Sequence, residues 1–356
     1  TVFAQCLVIF FLLLLSVTVQ AQSTLELQEF NAAYLQYGNN LHSNPGLARE
    51  SARRAFGLGK QIFGDENERT AMLAINYANL LQEEAQSQDL FDEAVTIYQA
   101  VFGFGSEAMI DPLMRLARSL TDANKYSLAN VYYRRALGLS EDHFGVDASK
   151  SGAIQLELGS IALTQNNVES AFPLLRSALE TFSQYDDAGS VSNRARTGLL
   201  LGDYYLRTEN YEEALSILLL ALETLSTYPH ADVTQRNRIA LIEVYEKLGR
   251  SDEATAHCLA IGAVRRIGNE GSLRPLYTVI PDSEQIIGTP AEQYGVRVGY
   301  TIDANGYVVN PILMSTIDSD VLSQVFLSAI QQFRFAPRFE NGDPVASLNQ
   351  QYVFRY

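Results

Sequence analysis

The chain has 356 residues, nearly half of them hydrophobic, with a formal charge of −15 at pH 7 and an isoelectric point near 4.7. This length exceeds one ordinary domain and the apolar content suffices for packed cores, so we expect at least two folded units. The strong negative charge disfavours binding to nucleic acid or to anionic lipid head groups, because either ligand requires a positive surface.

Residues 1–21 have the composition of a signal peptide. Val2 to Val19 carry no charge, and the small residues Val19 and Ala21 stand where a signal peptidase cuts, so we predict cleavage before Gln22. The alternative is an uncleaved membrane anchor, because about 18 apolar residues can just span a bilayer. Cleavage would leave Cys258 as the sole cysteine, in an apolar helical context that favours a buried thiol over a reactive one.

Between about Leu25 and Gly268 the sequence repeats a helix-turn-helix unit, in which an acidic or polar residue leads into an alanine and an apolar run. The alanines that we identify as equivalent are spaced 35, 42, 43 and 40 residues apart, with Ala52 as an earlier member: Ala94, Ala129, Ala171, Ala214 and Ala254. A recurring period of this length is typical of a helical repeat array.

These units resemble the tetratricopeptide repeat (TPR). The residues that carry the resemblance are Leu201, Gly202, Tyr205, Ala214, Leu218 and Ala221 in one unit, and Leu158, Gly159, Ala171, Leu175 and Ala178 in another. The extra length follows the second helix, as in residues 141–147, which resembles the longer subtype of this repeat. The resemblance implies pairs of helices that approach closely through small residues, and an inner surface formed by the first helix of each pair.

Polar residues of that inner surface are the candidates for partner binding, although an ordinary solvated surface is the alternative for each of them. The candidates are Asn79, Arg118, Asp203, Arg207 and Glu243.

After Gly268 the helical pattern ends, and several prolines and glycines mark a change to extended chain. Val296 to Ile302 alternate between apolar and other residues as a half-buried strand does, and Asp303 to Gly306 form a hairpin turn in which Gly306 supplies a positive φ. The next strand runs to Met314 and contains Pro311, which indicates an edge strand or a bulge.

A helix follows, with Asp318 or Ser319 as its cap and one apolar face that can lie on the sheet: Val321, Leu322, Val325, Phe326, Ala329, Ile330 and Phe333. Residues 341–344 turn the chain, and Val345 to Tyr356 alternate as a last strand. The sequence therefore predicts a mainly α protein, with a repeat array over residues 22–270 and a small ββαβ domain with an antiparallel sheet over residues 271–356.

This last domain resembles the C-terminal domain of TonB, the periplasmic energy transducer that engages outer-membrane receptors. The strings that carry the resemblance lie at Val296–Val308, Ala329–Pro337 and Asn341–Val345, whereas a Pro-rich spacer is missing. In that family the last strand accepts an added strand from a partner. The resemblance implies the same for residues 348–356, with Leu348, Gln350, Tyr352, Val353 and Phe354 as contacts; an ordinary edge blunted by Arg355 is the alternative.

No motif for catalysis or for cofactor binding stands out. The four histidines, His42, His143, His230 and His257, lie in separate units, and no glycine-rich phosphate loop or paired carboxylates occur. We therefore expect no enzyme activity, no metal and no cofactor.

The sequence leads to an exported adaptor of the periplasm or cell envelope as the first hypothesis for function. Its array would bind one protein partner and its C-terminal domain another, such as an outer-membrane receptor. The alternative is a transducer tethered to the inner membrane that supports transport through such receptors. The missing ionisable residue in Val2–Val19 disfavours coupling to a proton-driven motor.

The first test concerns the N-terminus. We expect the exported protein to begin at Gln22, because the small residues before it suit signal peptidase. N-terminal sequencing of the protein recovered from envelope fractions measures this directly. An intact N-terminus in the inner-membrane fraction would contradict the adaptor hypothesis and favour the tethered alternative.

Overall fold

The computed structural model describes residues 25–81, 83–264, 273–281, 295–315 and 320–355. The signal segment 1–21 and the helix cap expected at Asp318 or Ser319 lie outside these residues. The chain divides at Asn166/Asn167 into two compact units. No helix in the described ranges is long and apolar enough to cross a membrane.

The first unit consists of antiparallel helices joined by short turns. The helices are α1 (residues 25–40), α2 (Pro45–Phe63), α3 (Glu68–Ala78), α4 (Glu84–Phe102), α5 (Ile110–Asp122), α6 (Tyr126–Phe144) and α7 (Ser149–Thr164), with a single 3₁₀ turn at Glu107–Met109. Along the chain α2 packs on α3, α3 on α4, α5 on α6 and α6 on α7. This succession of neighbouring helices is TPR-like packing.

The second unit continues the pattern and then adds strands. Its helices are α8 (Val168–Phe182), α9 (Ala188–Arg207), α10 (Tyr211–Leu225), α11 (Asp232–Lys247) and α12 (Ser251–Val264). Each of them packs against the next one in sequence. The second helix of each repeat pair is therefore α2, α4, α6, α8, α10 or α12.

A small residue stands at the fourth position of every second helix and sets the repeat register. These residues are Ala48, Ser87, Ala129, Ala171, Ala214 and Ala254, spaced 39, 42, 42, 43 and 40 residues apart and each at most 1% exposed. The sequence assignment of Ala94 and Ala52 to this position is wrong. Ala94 is the eleventh residue of α4 and Ala52 the eighth of α2, because both helices begin earlier than the alanine pattern indicates.

The long repeat period arises from a loop after the second helix that is hydrogen-bonded to the next repeat. Helices α2, α4 and α6 all end in Phe-Gly, and Gly64, Gly103 and Gly145 adopt φ values of 87°, 86° and 92° that suit glycine. Two of these glycine carbonyls accept a hydrogen bond from a hydroxyl of the next first helix, Thr70 Oγ1 at 2.7 Å and Ser151 Oγ at 2.9 Å. The extra residues are thus fixed to the following repeat.

Glycines in the first helices let paired helices approach closely. In α9, a Cβ on Gly202 would lie 2.4 Å from Cδ2 and 2.6 Å from Cγ of Leu218 in α10, and a Cβ on Gly198 would lie 3.1 Å from Ala221 Cβ. Leu218 is fully buried at this contact. The Leu-Gly element of the sequence pattern therefore serves packing within the pair.

The C-terminal module has the strands β1 (Val296–Ile302), β2 (Val308–Leu313), β3 (Arg338–Glu340), β4 (Asp343–Val345) and β5 (Ser347–Phe354), with helix α13 (Asp320–Gln331) between β2 and β3. The antiparallel order β2–β1–β5 forms a three-stranded sheet, and β3 and β4 form a separate hairpin. As expected, Val296, Val298, Tyr300 and Ile302 face the core, Gly306 has a φ of 85°, and Pro311 lies on an edge strand.

Two details differ from the sequence expectation. Val345 does not begin the last strand but ends β4, because the Asn341-Gly342 turn, with φ values of 53° and 93°, closes a short hairpin with β3. Val321 is 77% exposed, so it does not belong to the apolar face that Leu322, Phe326, Ala329 and Ile330 bury in the module core.

Gly202→Ala tests the close approach of paired helices. The added methyl meets Leu218, so we expect a loss of about 1–3 kcal/mol in unfolding free energy. Gly138→Ala in α6 is the matched control, because its Cβ would meet nothing within 4 Å; higher helix propensity should then stabilise by up to about 1 kcal/mol. Urea unfolding followed by circular dichroism measures both, and equal effects of the two substitutions would contradict the packing argument.

Candidate functional site

Strand β5 forms one edge of the three-stranded sheet. It pairs with β1 on one side, with Val296 opposite Phe354 and Val298 opposite Tyr352, and no described strand pairs with its other side. An edge strand presents unpaired N–H and C=O groups to which an extended peptide can bind. The sequence expectation of an edge at residues 348–356 therefore falls on a real edge, whose strand spans Ser347–Phe354.

Hydrogen bonds of Arg297 show which backbone groups of β5 point outward. The Arg297 carbonyl accepts from Met314 N and the Arg297 N–H donates to Ser315 Oγ, both at 2.9 Å, so Arg297 uses its backbone on the β2 side. Val353, opposite Arg297, then forms a non-hydrogen-bonded pair, and its N–H and C=O point away from β1. Because this pattern alternates along the strand, the backbone N–H and C=O of Gln351 also point away from β1. The sequence pattern did not single out Gln351.

The side chains of the predicted contact strand fall into two groups. Leu348 is 65% exposed and Val353 half-buried, whereas Phe354 is 1% exposed. The rings of Tyr352 and Phe354 pack on Phe333 at centroid distances of 5.0 and 5.8 Å. Burying a phenylalanine stabilises by about 1.5–3 kcal/mol, so Phe354 is a core residue and its assignment as a contact side chain is wrong.

Gln350 and Tyr352 alternate with Val353 along the strand. Both are half-buried and lie opposite Tyr300 and Val298 of β1, so their backbone groups point toward β1 and not toward a partner. What β5 offers a partner is therefore the backbone of Val353 and Gln351 together with the exposed Leu348 side chain. Two exposed arginines lie near the end of this strand: Arg355, the residue after it, and Arg297, which is opposite Val353 on β1.

On the first helices, three of the predicted contacts are equivalent. Arg118, Asp203 and Glu243 each lie eleven residues before the small residue that sets the register. Asn79 does not belong to this row; the equivalent residue of its repeat is Asn76. The Asn79 Nδ2 donates to Ser119 Oγ of α5, so Asn79 joins neighbouring first helices. Its contact with a partner stays a prediction.

In the second unit the structure brings Asp203, Arg207 and Glu243 together. Arg207 forms an ion pair with Asp203 at 2.9 Å one turn earlier in α9. Burial raises the pKa of Glu243 above its ordinary value; Lys247 opposes this shift and the nearby Asp203 carboxylate adds to it. This acidic, ion-paired surface lies across α9 and α11 and suits a polar or basic segment of a partner.

Arg118 lies on α5 in the first unit. Its guanidinium is exposed beside Tyr133, whose pKa burial raises to about 12, with Glu157 raising and Arg118 lowering that value. The positive charge of Arg118 thus offsets part of the effect of burial on the pKa of Tyr133.

The sequence pattern missed a buried arginine in the C-terminal module. Arg334 is 1% exposed and its guanidinium lies against α11 and α12, where Nη1 pairs with Glu246 and Nη2 donates to Thr255 Oγ1 at 2.7 Å. The guanidinium carbon lies 3.7 Å from the centroid of the Tyr307 ring. A charged residue between Phe333 and Phe335 in an alternating segment was the signal that could have found it.

The described residues hold no cluster of metal-binding side chains. No three side chains of His, Cys, Asp or Glu come together there in a way that could hold an ion. Cys258 is fully buried, and burial raises the pKa of its thiol to about 11. This agrees with the expectation that this cysteine serves packing.

Comparison with known proteins yields structural likenesses only. No protein-family model matches the chain, and no curated protein matches it. The crystal structure of BtubC (BKLC) from P. vanneervenii aligns with 70% of this chain and 98% of its own, at 20% identity and a TM-score of 0.49. Nearly identical TPR-like repeats from Podosopora anserina align with 58% of this chain and 100% of theirs, at 15% identity and a TM-score of 0.45.

The apo form of RapI aligns with 67% of this chain and 64% of its own, at 13% identity and a TM-score of 0.44. All three scores lie below 0.5. The TPR-like fold therefore rests on the helix pairs of this chain, their constant register and their close packing.

Glu243→Gln tests the environment of the charged surface on α9 and α11. Because the folded pKa of Glu243 is raised, wild-type stability declines as the pH rises from the unfolded pKa, about 4.3, through the folded pKa. A glutamine amide does not ionise, so it avoids the free-energy cost of a buried carboxylate. We therefore expect Glu243→Gln to be more stable than wild type at pH 7 and equal to it below about pH 4.

Thermal unfolding over this pH range measures the difference. Glu223→Gln, an exposed position on α10, is the control and should leave the midpoint unchanged at every pH. A Glu243→Gln protein that is less stable at neutral pH would show that the carboxylate makes a net favourable interaction and would contradict this account.

Proposed function

We propose that this chain is an exported interaction protein of a Gram-negative cell envelope. Its repeat array binds one protein partner on the first-helix surface, and its C-terminal module binds another by strand addition. The charge-free segment Val2–Val19 and the TonB-like strings of the module support the envelope location. The TPR-like helix pairs support the role in protein interaction, because such arrays present extended surfaces to partners.

The observation that carries the proposal is the open edge of β5. Its outer side, with which no described strand pairs, offers the N–H and C=O groups of Val353 and Gln351, while the opposite side is fixed by pairing with β1. Phe354 and Tyr352 hold the strand on the module core through Phe333, so the edge is ordered before a partner arrives. A pre-ordered edge lowers the entropic cost of adding a strand.

The charge of the sheet favours partners of a particular kind. In a chain of net charge −15, the charged residues on β1, β2, β5 and the residue after β5 are Arg297 and Arg355, both exposed. A partner strand with acidic residues would therefore meet favourable charges at this sheet, whereas a basic partner would suit the Asp203–Glu243 surface of the array. The two surfaces would then select different partners on one chain.

Val353→Pro tests strand addition. Proline removes the outward N–H of Val353 and places a ring on the free edge, while no hydrogen bond to β1 is lost. Peptides selected on the wild-type chain from a random phage-displayed library provide the probe. We expect edge-binding peptides to bind Val353→Pro at least about tenfold more weakly, which corresponds to one lost hydrogen bond with steric exclusion added.

Val353→Ala is the matched control, because it shortens the side chain and retains the N–H. It should bind the same peptides within a small factor, and the circular dichroism of both variants should match wild type. The proposal fails if every selected peptide binds Val353→Pro as tightly as wild type. It also fails if alanine and proline weaken binding equally, because the side chain and not the backbone would then be recognised.

A further inference from the structure

The segment Phe333–Ala336 belongs to two hydrophobic cores at once. Phe333 and Phe335 are fully buried in the module core with Phe326 and Phe354. Ala336, also fully buried, packs in a different cluster made by α10, α11 and α12. Alternation along the extended chain sends successive side chains to opposite sides, so this segment is the seam between the module and the last helix pair.

Arg334 occupies the centre of that seam. Its Nη1 pairs with Glu246 and donates to the Ser251 carbonyl at 3.1 Å, and its Nη2 donates to Thr255 Oγ1 at 2.7 Å. The Glu246 side chain is 12% exposed and also accepts from Ser251 Oγ at 2.7 Å. Arg334 is thus held by the end of α11 and the first turn of α12.

The module side of the seam holds the same arginine. The Arg334 N–H donates to the Tyr277 carbonyl at 3.1 Å, its carbonyl accepts from Leu276 N at 2.7 Å, and its guanidinium stacks on Tyr307. The Tyr307 hydroxyl in turn donates to the Ser251 carbonyl at 3.2 Å. The two sides are therefore joined through a polar network at the centre of an otherwise apolar contact.

Close backbone contacts surround this network. A Cβ on Gly262 of α12 would lie 2.5 Å from the Pro337 carbonyl oxygen, and a Cβ on Gly306 would lie 2.1 Å from the Phe335 carbonyl oxygen and 3.5 Å from Cys258 Cβ. Such contacts require one exact docking position. Separation, however, returns two buried charges to water, which offsets part of the lost contact energy.

We propose that the C-terminal module is latched onto the last helix pair by Arg334, and that it detaches along this seam as a unit while both cores stay folded. The docked position fixes β5 relative to α11 and α12. Detachment frees the edge strand from that orientation and exposes Glu246 and Cys258. The latch is independent of whether β5 binds a partner.

Cys258 reports the opening of the latch. It lies in α12 at 0% exposure, in the cluster that includes Ala336 of the module, so an aromatic disulfide reagent reaches its thiol only after the seam opens or the unit unfolds. A full chain carrying Cys6→Ser has Cys258 as its only thiol. The rate of labelling by 5,5′-dithiobis(2-nitrobenzoate) then measures opening.

The decisive variant is Arg334→Gln, and Arg338→Gln is its matched control. Arg338 lies four residues later, and its side chain is 58% exposed in an ion pair with Glu340. We expect Arg334→Gln to speed labelling at least about tenfold with unchanged helical circular dichroism, because Glu246 is left buried and unpaired. Arg338→Gln should label at the wild-type rate, and Arg334→Gln/Glu246→Gln more slowly than Arg334→Gln alone.

Wild-type kinetics test the latch even if Arg334→Gln fails to fold. Opening at the seam exposes little surface, so the labelling rate should rise with urea far less steeply than global unfolding does. The inference is overturned if the wild-type slope equals that of global unfolding, or if folded Arg334→Gln labels no faster than Arg338→Gln. Neither outcome bears on peptide binding at Val353, so the two proposals fail separately.

Discussion

The close approach of paired helices is the constraint on which the rest of this fold depends. It requires a small residue at the fourth position of each second helix, from Ala48 to Ala254, and glycine at positions such as Gly202, where a Cβ would lie 2.4 Å from a leucine methyl. That requirement fixes the register of every repeat and therefore which first-helix residues share a row. Arg118, Asp203 and Glu243 occupy equivalent positions because each lies eleven residues before the small residue of its own repeat.

The fold class could be predicted from sequence because its signals are local. Alternation in Val296–Ile302, the turn at Gly306 and the Leu201-Gly202 pair each depend on neighbours a few residues away. The register of the first repeats could not be predicted from sequence. In α4 a serine, Ser87, stands at the fourth position instead of the expected alanine, and an alanine, Ala94, stands at the eleventh. Two small residues seven apart on one helix face are indistinguishable without the position at which the helix begins.

The candidate site was predictable only in part, for a physical reason. The sequence predicts a strand over residues 345–356, but whether Phe354 faces a partner or the core depends on where α13 and Phe333 lie. Which N–H groups are free depends on Arg297 bonding to the residues after β2, a contact distant in sequence. The charge between Phe333 and Phe335 marks Arg334 in the sequence, but its pairing could not be predicted, because its partner Glu246 is 88 residues away.

Polar groups act differently at the β5 edge and at the seam around Arg334. At β5 the outward backbone groups of Val353 and Gln351 pair with no described strand, so adding a strand gives them protein hydrogen bonds at little cost in desolvation. At Arg334 the two terminal nitrogens of the guanidinium are already paired and buried, so the seam resists slipping to another register although the charges regain hydration when it opens. On this proposal a module docked through one polar network within an apolar contact changes its orientation without changing its fold, since neither hydrophobic core has to be exposed in full.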